Sequence, residues 1–94
     1  MRFVAIMTDK PNTQDLRAQN YDAHRAFIDA NRSAIVLSGP MKAEEGGPAR
    51  GGLWVIEADS KSAAEAIIHN DPFYKVGLRG SVEVYHWGAA GKIG

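Results

Sequence analysis

The sequence has no cysteine among its 94 residues. This absence excludes disulfide bonds, thiolate metal ligands and a cysteine nucleophile, and it is typical of a reducing compartment. The sequence also lacks an excess of one charge, because 11 basic side chains balance 11 acidic ones. Since no segment collects charge of one sign, the basic patch of a nucleic-acid-binding protein is missing, and we expect no nucleic-acid partner.

Long apolar runs are missing as well. No segment approaches the roughly 18 consecutive apolar residues that cross a membrane, and Met1–Thr8 lacks the pattern of a signal peptide. We therefore expect a cytoplasmic protein without a membrane partner. A chain of this length holds one hydrophobic core, so residues 1–94 are predicted to form a single domain, which association with a second copy would stabilise.

Hydrophobic periodicity predicts four strands and two helices in the order β-α-β-β-α-β. The predicted strands cover residues 2–8, 34–37, 53–58 and 81–87, and the predicted helices cover residues 16–31 and roughly 60–70. An apolar stripe of Leu16, Ala23, Phe27 and Ile28 marks the first helix. Ser60 or Ser62 could cap the second helix, and Ser62 forms a possible capping box with Glu65.

Proline and glycine define the predicted boundaries between these elements. Ser38-Gly39-Pro40 is expected to end the second strand, because proline cannot donate to a central ladder. The segment 42–52 has four glycines and one proline, which predicts a long mobile hairpin loop. Pro72 takes Asp71 out of the helical region, so the second helix should end near Asn70. Residues 88–94 are expected to form a frayed tail.

This order of elements predicts an α+β fold of the ferredoxin-like type, a four-stranded antiparallel sheet with both helices on one face. The first and third strands would then be central. Both of them are apolar on both faces, whereas a lone antiparallel sheet usually keeps one face polar. A second subunit that packs sheet against sheet would cover the face without helices, and a ligand cavity between sheet and helices is the alternative.

Two residues are the main candidates for chemistry. His24 lies between Phe27 and Ile28 in angle around the first helix, so it should point toward the core. Asp71 follows the second helix, where the helix dipole disfavours a carboxylate by about 0.3–1 kcal/mol unless a partner offsets it. The simpler interpretations are a packed histidine with one hydrogen bond and an aspartate that caps the turn before Pro72.

Other candidate sites have weaker support in the sequence. His69 and His86 have no spacing with acidic residues that indicates a metal site, so no metal ligand is predicted. Ser38 lacks the strand-turn-helix elbow that exposes a nucleophilic serine. The glycines around Pro48 do not open a helix and lack the Lys-Ser/Thr pair of a phosphate-binding loop. No cofactor is therefore implied.

The combination of His24-x-x-Phe27, Ser38-Gly39-Pro40 and Asp71-Pro72-Phe73, followed by Gly77 and a late strand, resembles the YciI-like (YCII-related) family. The resemblance covers nearly the whole chain. It implies a dimeric α+β barrel in which two ferredoxin-like sheets pack face to face. It also implies a His24–Asp71 active-site pair beside a pocket wall of Gly39 and Pro40.

The resemblance further suggests substrate-binding residues. These are Ser38, Gly39, Pro40, Phe73 and Tyr21. Tyr21 stands where many relatives carry an arginine, so an anion clamp does not carry over at that position.

These observations predict a small, cofactor-independent enzyme of lyase or isomerase type. His24 would transfer a proton on a compact, partly apolar metabolite, and Asp71 would orient its ring. The protein is expected to form a homodimer or higher oligomer through its sheet. The alternative is a non-catalytic dimer that binds a small molecule in the same pocket.

Overall fold

A computed structural model describes residues 1–88 and contains seven elements. They are β1 Arg2–Asp9, α1 Gln14–Ala30, β2 Ile35–Lys42, β3 Ala49–Glu57, α2 Lys61–His69, α3 Pro72–Lys75 and β4 Arg79–His86. All of the predicted frayed tail beyond Gly88 lies outside the described residues. Within them, no helix combines the length and the apolar character that a membrane crossing requires.

The four strands form one antiparallel sheet in the order β2-β3-β1-β4. The ferredoxin-like α+β fold is therefore confirmed, and β1 and β3 are the central strands, as predicted. Ala5 of β1 pairs with Trp54 on one side and with Val84 on the other. This register brings the alternate residues of three strands onto a common face.

One face of the sheet packs against the helices and forms the core. The side chains of Phe3, Ala5 and Met7 are buried there, together with Ile28 of α1 and Ile68 of α2. Burial of a large apolar side chain contributes about 1.5–3 kcal/mol, so packing on this face stabilises the fold substantially. We call the opposite face, which carries Val4, Ile6, Leu37, Leu53 and Val55, the open face.

The prediction that β2 ends at Ser38-Gly39-Pro40 was wrong. The strand continues to Lys42, with Pro40 paired to Gly52. Because β2 lies at the edge of the sheet, proline is tolerated in it.

The predicted long hairpin loop is correspondingly shorter. Since β3 begins at Ala49, only residues 43–48 connect the two strands. Gly51 lies within β3, where a Cβ would stand 1.9 Å from the carbonyl oxygen of Met7. This glycine therefore permits a close approach of two strands instead of marking a flexible loop.

Two helical details differ from the expectations, and a third agrees with them. Ser60 is the N-cap of α2 and accepts a hydrogen bond from the Ala63 amide, so the predicted capping box of Ser62 and Glu65 is not used. On α1, Ala23 is exposed rather than part of the buried stripe. As Pro72 predicted, α2 ends before Asp71, whose own backbone is extended, and the chain then forms the short helix α3.

Candidate active site

His24 projects from the middle of α1 toward the core, as its position in the helical pattern predicted. Its ring stacks on Phe73 with 3.9 Å between centroids and an angle of 8° between planes. Its Nδ1 lies 2.8 Å from Oδ1 of Asp71. The predicted contact between the two side chains is therefore present, and two sides of the imidazole are held in place.

Asp71 is positioned by the Asp71-Pro72-Phe73 segment itself. The aspartate is the N-cap of α3, and its Oδ1 accepts the backbone N–H of Phe73 at 3.1 Å. Pro72 occupies the start of α3, where its fixed φ suits the helix and its missing N–H costs nothing. Asp71 is thus both a turn-capping residue and the partner of His24, and its side chain is 0% exposed.

A second acidic residue, Asp9, links two arginines beside this pair. Its Oδ2 accepts hydrogen bonds from Nε and Nη2 of Arg17 at 3.2 and 2.9 Å. Its Oδ1 accepts one from Nη1 of Arg79 at 2.7 Å. Nη2 of Arg79 lies 3.9 Å from Oδ2 of Asp71, close enough for an ion pair but too far for a hydrogen bond. His24, Asp71, Arg79, Asp9 and Arg17 therefore form a continuous chain of contacts, which we call the charged cluster.

Burial strongly affects Arg79. Its side chain is only 3% exposed. Desolvation lowers the pKa of its guanidinium, and the hydrogen bond to Asp9 opposes that shift. The group remains a cation, because an arginine in a protein does not lose its proton near neutral pH.

A cavity of about 220 Å³ opens beside the charged cluster, between α1 and the sheet. Of the predicted substrate-binding residues, Tyr21, Ser38, Gly39 and Pro40 line it together with His24. Phe73 does not line it, because this ring lies beneath the imidazole. The remaining lining residues are Arg17, Arg25, Ile28, Arg32, Gly51, Gly52, Trp54 and Arg79.

The charged side chains of this site were not predicted from the sequence. Arg17, Arg25, Arg32 and Arg79 all line the cavity, whereas no carboxylate from residues 1–88 does. Arg17 and Arg25 lie seven residues before and one residue after His24 on α1. Arg79 pairs with Asp9 across the sheet. A predicted fourth strand that began at residue 79 instead of 81 would have placed these two residues side by side. Cationic groups therefore reach the cavity without an arginine at position 21.

This arrangement favours proton transfer at Nε2 of His24. An ionised Asp71 can only accept hydrogen bonds, so Nδ1 must carry the proton in the bond between them. Nε2 of the neutral ring is then an unprotonated base, and it has no hydrogen-bond partner among residues 1–88. The same residues contain no group of three or more side chains that could hold a metal ion.

Comparison with known proteins identifies similar sequences and structures. A family model described as YCII-related domain matches residues 1–88. The fold is also similar to that of 5-chloro-2-hydroxyhydroquinone dehydrochlorinase (TftG) from Burkholderia phenoliruptrix AC1100 in complex with 2,5-dihydroxybenzoquinone. The two chains are 27% identical, the match covers 96% of each, and the TM-score is 0.83. No curated protein sequence matches the chain significantly.

More distant structures share the fold. A cofactor-independent oxygenase from Streptomyces nogalater (SnoaB) matches with a TM-score of 0.53 and 11% identity over 97% of this chain and 95% of its own. A protein from Pseudomonas aeruginosa matches with a TM-score of 0.53 and 12% identity over 89% and 87%. Identities this low indicate a shared architecture, and the chemistry must be argued from the site.

Proposed function

This chain belongs to the YCII-related domain family, and we propose that it is a cofactor-independent enzyme of the lyase type. The observation that carries the proposal is the contact of 2.8 Å between Nδ1 of His24 and Asp71, with the imidazole at the wall of the cavity. In this role His24 is the general base and acid. Asp71 fixes its tautomer and stabilises the imidazolium after proton transfer.

The proposed substrate is a compact ring that carries hydroxyl groups and a leaving group. A cavity of about 220 Å³ suits one small ring, and Trp54 in its lining offers an apolar surface. The four arginines of the lining favour a substrate with acidic hydroxyls. The similar dehydrochlorinase, named for a chlorinated hydroxyhydroquinone, supports a substrate of this class.

Elimination of HCl from a chlorinated ring with hydroxyl groups requires proton transfers and the departure of chloride, and nothing else. His24 takes the proton of a ring hydroxyl and returns it to the ring carbon that carries chlorine, which gives the keto tautomer. His24 then takes a second hydroxyl proton as the C–Cl electron pair leaves with chloride and a second carbonyl forms. The products are a quinone, Cl⁻ and a proton, which the imidazolium releases to water. No oxidant, reductant or metal enters this sequence.

The second candidate function is binding without turnover. The cavity beside His24 supports it equally, because a pocket that holds a ligand does not require proton transfer. The experiment that separates the two functions is incubation with chlorinated hydroxyhydroquinones and a metabolite library, followed by chloride detection and mass spectrometry. An enzyme releases chloride or converts a metabolite, and the His24→Ala variant does not. Ligand retention without conversion in both proteins would identify a binding protein.

The open face supports a further part of the proposal, a homodimer that packs sheet against sheet. Val4, Ile6 and Leu53 are only partly buried, and Leu37 is 63% exposed. An apolar surface of this kind on a sheet without covering helices is typical of an interface. The dimeric barrel predicted from the sequence would bury these side chains.

Replacing Leu37 by aspartate tests this interface. Wild-type protein at micromolar concentration is expected to sediment with twice the monomer mass. The Leu37→Asp variant places a charge in the apolar contact, so its dimer should dissociate about tenfold or more readily. The matched control is Val76→Asp, because Val76 is also exposed but follows α3 and lies outside the sheet. A wild-type monomer, or equal dissociation of both variants, would contradict the proposed interface.

A further inference from the structure

Phe73 contacts both members of the proposed pair without reaching the cavity. Its backbone N–H donates to Oδ1 of Asp71 at 3.1 Å, and the same oxygen lies 2.8 Å from Nδ1 of His24. Its ring lies 3.9 Å from the imidazole, centroid to centroid, and the two planes differ by 8°. Because Phe73 is 0% exposed and does not line the cavity, it has no direct access to a ligand there. Its effect on chemistry in the cavity is therefore exerted through His24.

The contact with Asp71 alone would hold the imidazole loosely. The last torsion of a histidine side chain has a broad range of allowed values, and an sp² oxygen accepts hydrogen bonds over a broad range of directions. Trp54 also faces the imidazole, but its ring centroid is 6.3 Å away and its plane is tilted by 31°. The Phe73 ring is the flat contact that defines the plane of the imidazole. It thereby also defines the direction in which Nε2 faces.

The Phe73 ring is itself held in place by the charged cluster. The guanidinium carbons of Arg17 and Arg79 lie 4.9 and 5.4 Å from its centroid, within the range of cation–π contacts. Both arginines are fixed by hydrogen bonds to Asp9. The ring therefore has little room to tilt, and the two arginines support the imidazole through Phe73.

We infer that Phe73 is a positioning residue, whose ring fixes the plane of the His24 imidazole and keeps Nε2 available to the cavity. The catalytic consequence rests on the proposed function, in which His24 is the base. Since Phe73 does not touch a ligand, its loss should lower the rate of proton transfer and leave ligand binding nearly unchanged. Misplacement of a catalytic group by about 1 Å can reduce the rate about 10²-fold.

Phe73→Leu tests this role, because it removes the flat ring and keeps an apolar side chain and the backbone N–H. For chloride release from a chlorinated hydroxyhydroquinone, kcat should fall about tenfold or more while KM stays within about twofold. In carbon-13 NMR relaxation, the order parameter of the His24 Cδ2–H bond should fall from about 0.85 to below about 0.6. Phe73→Tyr retains a flat ring and should keep both kcat and the order parameter close to wild type.

Phe3→Leu is the matched control for the loss of a buried ring. Phe3 is also buried, at 2% exposure, and its aromatic contact is with His86 at 5.6 Å. Both leucine variants should have a lower Tm than wild type, because each loses packing in the interior. Only Phe73→Leu should change kcat and the order parameter of His24, which a general loss of stability would not do. If Phe73→Leu does not fold, Phe73→Met, which also lacks a flat ring, takes its place.

Four results would overturn the positioning role. These are a mobile His24 ring in wild-type protein, an unchanged order parameter in Phe73→Leu, an equal change in Phe3→Leu, and a kcat of Phe73→Leu within about threefold of wild type. Failure of the proposed enzyme gives a different result. Wild-type protein would then release no chloride, and the His24 ring would still lose order in Phe73→Leu alone, which supports the positioning of the imidazole.

Discussion

The His24→Asn variant is expected to lose most of the proposed activity, with kcat/KM reduced about 10²–10⁴-fold, the usual contribution of one general acid or base. Asparagine can place an amide N–H near the position of Nδ1 and keep the contact with Asp71. It has no atom at the position of Nε2. The variant therefore removes the proposed base while it retains the hydrogen bond that organises the site, and the rate of chloride release or substrate conversion measures the loss.

The chain offers a matched control for this substitution. His69 lies on α2 and stacks on Tyr74 at 4.5 Å, and it does not line the cavity. His69→Asn should therefore keep the wild-type rate. Imidazole added to His24→Ala should restore part of the activity, because it can enter the space that the ring leaves. If His24→Asn retains a rate within about threefold of wild type, His24 is not the base.

Replacing Asp9 by alanine is expected to destabilise the protein by about 3–5 kcal/mol, the range found when one partner of a buried ion pair is removed. The side chain of Asp9 is 5% exposed and accepts three hydrogen bonds from Arg17 and Arg79. Without it, the guanidinium of Arg79 stays buried with only the distant carboxylate of Asp71 as a partner. A small domain has little stability to lose, so the variant should be partly unfolded at 25 °C.

Urea unfolding of both the variant and a surface control measures this effect. Asp22 is exposed on α1 and forms no ion pair with any of residues 1–88, so Asp22→Ala should change the free energy of unfolding by no more than about 0.5 kcal/mol. Equal stabilities of the Asp9→Ala and Asp22→Ala proteins would show that the charged cluster contributes nothing to folding.

Much of the fold could be predicted from the alternation of apolar residues. The order of the elements predicted that the first and third strands are central, the apolar character of both faces of residues 3–7 and 53–58 agreed with it, and the structure has them there. The predicted ends of the second and third strands were wrong at Pro40 and near Gly51, because both strands include these residues. There the effect of a residue depends on whether its strand is at an edge and how closely a neighbouring strand approaches. Neither property is visible in a local pattern.

The candidate site was only partly predictable for a similar reason. His24 was detectable because a polar residue within an apolar helical stripe stands out, and Asp71 because it follows a helix end. Arginines on α1 look like ordinary solvated charges, and Arg79 was placed before the predicted fourth strand. Only Arg17 and Arg79 pair with Asp9, and Asp9 lies 70 residues before Arg79. Such a contact follows from strand register and not from composition.

The position of the proton on neutral His24 decides whether Nε2 can act as the base. Nitrogen-15 NMR of the imidazole distinguishes the two tautomers at a pH where the ring is neutral. Because the carboxylate of Asp71 can only accept a hydrogen bond from Nδ1, the proton should reside on Nδ1, and Nε2 should be unprotonated and available to a ligand. In Asp71→Asn, which keeps a capping oxygen for α3, this preference should weaken. A proton on Nε2 in the neutral wild-type protein would contradict the assignment of His24 as the base.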